Sequence, residues 1–179
     1  MKVALLSSAA PCEDEDAIVA TKQIVKVLYD NGVELVTGGC SGLPELAIRE
    51  MVRLGGNTSV FSPDKSPNSH QLRSDNIPLG IAKQYYYKEG FNQRSIDMLK
   101  YVDGVIVVNG RIGTLSEFTM AIEEEIPTLV VENTGGIADH LDYILRVAKK
   151  EFPNNFILFS ESAAEGVKNL LFNIRQKLT

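Results

Sequence analysis

Between the apolar run Val105–Val108 and a helical pattern containing Glu117 stand Asn109, Gly110, Arg111, Ile112, Gly113 and Thr114. Glycines let a backbone approach an anion closely. The helix that follows offers amide N–H groups with no carbonyl of their own and a partial positive charge. That is phosphate-binding chemistry, and Glu117 would lie near a sugar attached to the phosphate. Thr114 and Glu117 are equally spaced as a capping box, each satisfying an orphan N–H of the helix start. Such a cap is worth about 0.5–2 kcal/mol and would explain both residues without any ligand. Both readings stand on the same residues, although a glutamate locked in its own cap is less free to act.

A second glycine-rich turn, Thr37-Gly38-Gly39-Cys40-Ser41-Gly42, also joins an apolar run to a helical pattern. A third turn begins Ser7-Ser8-Ala9-Ala10. In an open parallel sheet, ligands sit beyond the carboxyl ends of the strands. Two glycine turns facing one crevice would make a phosphate cradle. Neither turn matches G-x-G-x-x-G, and G-K-[ST] is absent, so neither the dinucleotide fingerprint nor the Walker loop is present. Arg94 is a further candidate, because a guanidinium suits bidentate contact with phosphate or carboxylate. An arginine on a helix is more often a solvated salt-bridge partner.

The elements that must position these residues alternate. Strand-like "KVALLSS", "VELVTGG", "NTSVFSP", "GVIVVNG" and "PTLVVEN" are separated by helical patterns. In the first helix Ala17, Ile18, Thr21, Ile24, Val25 and Leu28 recur at helical spacing, and Asn31-Gly32 ends it. Pro44 suits the first turn of the second. "GFNQRSIDMLKYVD" reads as a helix with Phe91, Ile96, Met98 and Leu99 among its apolar positions, and Val167, Leu170, Leu171, Ile174 and Leu178 form a stripe on the last helix. "KQYYYKE" and "NFILFS" read as extended, and Pro63 to Gly80 as one long irregular loop. Near-continuous apolar strands need cover on both faces. The expected fold is therefore α/β, a Rossmann-like doubly wound, mostly parallel sheet with helices on both faces, in one domain spanning residues 1–179.

The net charge of −5 argues against a general nucleic-acid partner, which would normally present a basic surface. The leading apolar run "VALL" is shorter than the roughly 7–15 residues of a signal core. No run approaches the ~18 apolar residues of a membrane span. Cys12 and Cys40 show no metal spacing and read as free thiols in a reducing cytosol. His70 and His140 belong to no ligand pattern, so neither metal nor cofactor is expected.

The segment "RSIDMLKYVDGVIVVNGRIGTLSE" resembles the part of the Lonely Guy (LOG), lysine decarboxylase-like family that reads R-K-x-x-M, an apolar strand, then P-G-G-x-G-T-x-x-E. "LVTGGCSGLPELA" is similar to that family's GG-x-x-x-GLM stretch, and "ALLSS" stands where the family has Gly-Ser after its first strand. The resemblance implies a Rossmann-like sheet, a homodimer, and a nucleoside 5′-monophosphate such as AMP as ligand. It implies hydrolysis of the N-glycosidic bond, giving free base and ribose 5-phosphate. The catalytic positions would be Arg94 and Glu117. Ser7, Ser8, Gly38, Gly39, Ser41, Gly42, Asn109, Gly110, Arg111, Gly113 and Thr114 would bind the nucleotide and its phosphate. Asn109, Arg111, Ser95 and Ser116 depart from the pattern, as in a divergent branch near the molybdenum cofactor carrier-like proteins. The alternative to hydrolysis is a non-catalytic carrier or sensor of a phosphorylated ligand, nucleotide or molybdenum-pterin.

Overall fold

The computed structural model describes residues 1–9, 14–73, 84–87, 90–149 and 156–177. The strands are β1 (Lys2–Ser7), β2 (Glu34–Thr37), β3 (Thr58–Ser62), β4 (Gln84–Tyr87), β5 (Gly104–Val108), β6 (Thr128–Val131) and β7 (Ile157–Ser160). The α-helices are α1 (Glu15–Asp30), α2 (Leu43–Arg53), α3 (Pro67–Arg73), α4 (Phe91–Tyr101), α5 (Ile112–Glu123), α6 (Leu141–Ala148) and α7 (Ala163–Lys177). All seven strands form one sheet in the order β4-β3-β2-β1-β5-β6-β7, and every described pairing is parallel.

Alternation along β1 builds two cores. Val3 and Leu5 pack with α1, α2 and α7 residues such as Ile24, Met51 and Leu170. Ala4 and Leu6 turn to the other face, against Met98 of α4 and Phe118 of α5. Successive side chains of a strand point to opposite faces, so each central strand must be apolar throughout. Local signals set the helix ends. The Asp14 carboxylate accepts the Ala17 N–H at 3.2 Å, and Glu15 and Asp16 sit in the positive first turn of α1. Pro44 lies in the first turn of α2, where no intrahelical N–H is needed.

The amino edge of the sheet is tied by polar and aromatic groups. Glu34 Oε1 accepts hydrogen bonds from Ser59 Oγ at 2.5 Å and Tyr101 OH at 3.1 Å. The Lys2 ammonium lies 3.7 Å from the Tyr101 ring centroid. Tyr86 stacks on Phe61 with centroids 4.5 Å apart. Its hydrogen bond to Tyr101, helped by desolvation, raises the Tyr86 phenol above its ordinary value.

Two expectations need correction. The segment from Pro63 is not irregular throughout, because α3 forms within it; its remainder, 74–80, lies outside the described residues. In α4 the buried residues are Arg94, Ser95, Met98 and Leu99, while Phe91 and Ile96 are exposed. The polar pair turns inward because a partner waits there, as shown below. The doubly wound parallel sheet expected from the alternating elements is present, with every described pairing parallel. Leu178 and Cys12 lie outside the described residues. No helix of the described residues is long and apolar enough to cross a membrane.

Phe118 is fully buried between α5 and the sheet. Phe118→Ala is expected to cost about 3–5 kcal/mol, read as a lower urea midpoint with unchanged slope. Phe172, 60% exposed, is the control, and Phe172→Ala should shift stability by no more than about 0.5 kcal/mol.

Candidate functional site

The strand order reverses direction at β1, which has β2 on one side and β5 on the other. Ser7 at the end of β1 is in register with Val108 at the end of β5. The turns after these strands therefore diverge from one point and leave a crevice between them. A cleft of about 430 Å³ lies there. Its lining includes Ser7, Ser8, Gly38, Arg94, Arg111, Gly113, Thr114 and Glu117 from the expected set.

The turn after β5 is shaped by Asn109 and Gly110, at φ 54° and 100°. Asn109 tolerates this region better than most residues, and Gly110 adopts it without penalty. A side chain at Gly110 would also collide with Thr114. Asn109 spends its amide on the scaffold. Its Oδ1 accepts the Gly110 N–H at 2.7 Å, and its Nδ2 donates to the Thr134 carbonyl at 2.7 Å. Asn109 and Gly110 thus hold the turn against the segment after β6 and do not line the cleft.

Arg111 is the N-cap of α5, and Ile112 opens the helix. Thr114 is consequently the third helical residue. Its hydroxyl accepts the Arg111 N–H at 3.3 Å and donates to the Ser7 carbonyl at 3.2 Å. This corrects the capping box expected from Thr114 and Glu117. The helix starts three residues earlier than that reading requires, so Glu117 falls in the second turn, beyond the orphan N–H groups. The amides of Ile112, Gly113 and Thr114 have no intrahelical acceptor. Gly113 has open space where a side chain would stand. Arg111 is exposed, and its guanidinium forms no salt bridge among the described residues.

Glu117 is directed to a different partner. Its Oε1 lies 2.7 Å from Arg94 Nη1 and accepts the Ser95 hydroxyl at 2.9 Å. The two side chains are only 8% and 12% exposed. Both anchors use one oxygen of the carboxylate, and no described protein group bonds Oε2. Arg94 lies against the main chain of Gly38, where an added Cβ would overlap its Nη1. The guanidinium Nε is buried without a hydrogen-bond partner, and so is the Ser7 hydroxyl oxygen. Unsatisfied buried donors at a cleft mark places where water or a ligand completes the bonding.

The second glycine turn does not form a matching cradle. Gly39 is packed toward Val60 and His70, away from the cleft. Ser41 donates to the Ala9 carbonyl at 2.8 Å, and the Leu43 N–H goes to the Ser8 carbonyl at 3.3 Å. Gly42 is the N-cap of α2, and Pro44 has no N–H to offer. Ser41 and Leu43 stitch the two turns together; Gly38 and Cys40 are the residues of this turn that line the cleft.

Sequence reasoning missed Leu5, Ala9, Cys40, Pro44, Phe91 and Ile112 as lining residues. Phe91 and Ile112 each open a helix directly after a turn, but Phe91 read as one of its helix's apolar positions and Ile112 as part of the glycine turn. His70 is fully buried and bonded through Nδ1 to Ser62 Oγ at 2.8 Å. Among the described residues no group of three or more His, Cys, Asp or Glu stands together to hold a metal ion. A second cleft of about 500 Å³ between α4 and α5 contains Ile96, Leu99 and Met120, with neither a glycine turn nor a buried ion pair.

Solved structures share this fold along nearly the whole chain. TM1055, a structural-genomics target, is 20% identical with a TM-score of 0.77, and the match covers 98% of each chain. The molybdenum cofactor binding protein of the phototrophic bacterium Rippkaea orientalis is 18% identical, TM-score 0.73, over 99% of this chain and 97% of the other. DNA processing protein A of Helicobacter pylori is 18% identical, TM-score 0.67, over 97% and 81%. Its structure is described as showing a single-stranded DNA binding mode. The exclusion of nucleic acid drawn from net charge is therefore withdrawn. A charge sum does not register a local cationic cleft, and this fold is compatible with such binding. A comparison with curated sequences finds no match. Residues 1–163 match the sequence profile of the SLOG cluster4 family, and the protein belongs to that family.

Proposed function

We propose that the cleft binds a small phosphorylated ligand of the nucleoside 5′-monophosphate class and that Glu117 acts on its N-glycosidic bond. The observation that carries this reading is the Glu117 carboxylate, anchored through one oxygen by Arg94 and Ser95 in the same cleft as the first turn of α5, whose amides have no intrahelical acceptor. A phosphate at Ile112, Gly113 and Thr114 meets N–H donors and the positive end of a 12-residue helix. Arg111 supplies a further cation beside it, and the Ser7 hydroxyl a further donor.

Glycosidic cleavage builds positive charge on the ribose ring. A carboxylate fixed beside the sugar stabilises that charge, and its free oxygen directs or deprotonates the attacking water. Water then adds to the anomeric carbon, and the base departs with the bonding electrons and a proton. Arg94 and Ser95 hold the carboxylate in place, so neither the pair nor the helix start has to reorganise during the reaction. The match of Arg94, Gly113, Thr114 and Glu117 to the Lonely Guy pattern supports this assignment.

A second reading is a carrier that holds a phosphorylated ligand without cleaving it. Arg111 favours it, standing where the Lonely Guy pattern has glycine and placing a bulky cation where close backbone approach is expected. The shared fold of the Rippkaea orientalis molybdenum cofactor binding protein is compatible with it. The two readings part on product. Release of ribose 5-phosphate from AMP, GMP, CMP or UMP supports the first; a ligand-induced rise in Tm without product supports the second.

Under the first reading, Glu117→Gln should lower turnover by about 100-fold or more while AMP affinity stays within about threefold. Unchanged turnover would remove Glu117 from the chemistry. Arg111→Ala should weaken AMP binding by about tenfold or more, as loss of a charge-assisted contact predicts. If Arg111 obstructs the pocket instead, calorimetry will show tighter binding. Gly38→Ala should displace the Arg94 guanidinium from Glu117 and reproduce much of the Glu117→Gln defect. Wild-type activity in that variant would show that the pair tolerates movement.

A further inference from the structure

We infer that Phe91 and Ile112 form a subsite for the planar ring of the ligand, next to the anion site. This rests on the binding reading above and does not require catalysis. Phe91 is 59% exposed and Ile112 is 81% exposed, yet both line the cleft that contains Arg94 and Glu117. They are the first residues of α4 and α5, so each of two adjacent helices contributes one apolar side chain to the cleft.

Neither position is explained by the core. The buried positions of α4 are Arg94, Ser95, Met98 and Leu99, and those of α5 include Thr114, Glu117 and Phe118. Exposed apolar side chains scattered singly on a surface need no explanation. Two in one cleft, beside an anchored carboxylate and the start of a helix, have a common one. Phe91 and Arg94 are three residues apart on one helix, so the ring and the cation share a face. Gly90 sets the start of that helix, its N–H bonded to the Pro63 carbonyl at 2.9 Å. A cleft of about 430 Å³ is within the range of ligand pockets and holds more than a phosphate and a pentose. Polar groups at the amides of α5 and apolar groups at Phe91 and Ile112 match a ligand that is anionic at one end and a flat heterocycle at the other. A flat ring stacks on Phe91 in preference to an acyclic or saturated group.

The ring can belong to a free nucleotide or to a nucleotide within a single strand. Calorimetric titration of wild type, Phe91→Ala and Ile112→Ser with AMP, ribose 5-phosphate and a ten-residue oligothymidylate separates the cases. AMP affinity should fall about five- to 150-fold in Phe91→Ala, the loss of one stacking partner, and in the same direction in Ile112→Ser. Ribose 5-phosphate should change less than twofold in both. Both side chains are exposed, so unchanged Tm values should accompany these losses. An oligomer that binds more tightly than AMP, and loses affinity in Phe91→Ala, assigns the ring to a strand within the same subsite. Equal AMP affinity in all three proteins overturns the ring subsite and leaves the anion site standing, as does an equal loss for ribose 5-phosphate. Failure of wild type to bind any of the three probes overturns the binding reading, and the subsite with it.

Discussion

The buried ion pair of Arg94 with Glu117 organises the carboxyl edge of the sheet. Burying two charges is costly, and the attraction between them offsets that cost only with good geometry and further hydrogen bonds. The protein provides both. Ser95 adds a second donor to the shared oxygen, and Gly38 gives up its side chain so that the guanidinium can lie against its main chain. Removing one member of such a pair leaves an uncompensated buried charge, typically a penalty of about 3–5 kcal/mol. The pair therefore constrains three segments at once: the turn after β2, the first turn of α4, and the second turn of α5.

The switch in strand order brings these segments together. The strands from β1 to β4 are added outward on one side of β1 and those from β5 to β7 on the other, and the turns after β1 and β5 open around the crevice. The Thr114 hydroxyl fastens one turn to the other through the Ser7 carbonyl. Asn109 ties the same turn to the segment after β6. The start of α5 is thus held from two directions, leaving its first amides facing a formed space. Rigid presentation of this kind is what a binding or catalytic site requires, since donors fixed in advance need not be ordered by the ligand.

The division of labour between the two glycine turns differs from their equal appearance in sequence. Both have several glycines after a buried strand and before a helix. After β5 the glycines shape a helix start whose amides remain available. After β2 the first two comparable amides are lost: Leu43 bonds Ser8, and Pro44 has none. Gly39 faces Val60 because β3 packs there, a fact set by sheet order. Composition identifies a turn that can approach an anion; hydrogen bonds to neighbouring segments decide whether it has donors left.

The fold was legible because it depends on local periodicity. Apolar runs of strand length, helical spacing between them, Asp14 and Pro44 at helix starts and Gly32 at a helix end each carry their information within a few residues. These settle an α/β sheet with helices on both faces. Membership of the catalytic candidates was legible only through motif spacing, and their arrangement was not. Helical periodicity assigned Phe91 and Ile96 to the core of α4 and left Arg94 a choice between solvent and ligand. The buried face proved to hold Arg94 and Ser95, because Glu117, 23 residues beyond Arg94 in the chain, lies opposite them. Apolar content alone chooses a helix face when nothing polar is there to compensate burial. Here a carboxylate from another element does so, and its position exists only after β1 and β5 have paired.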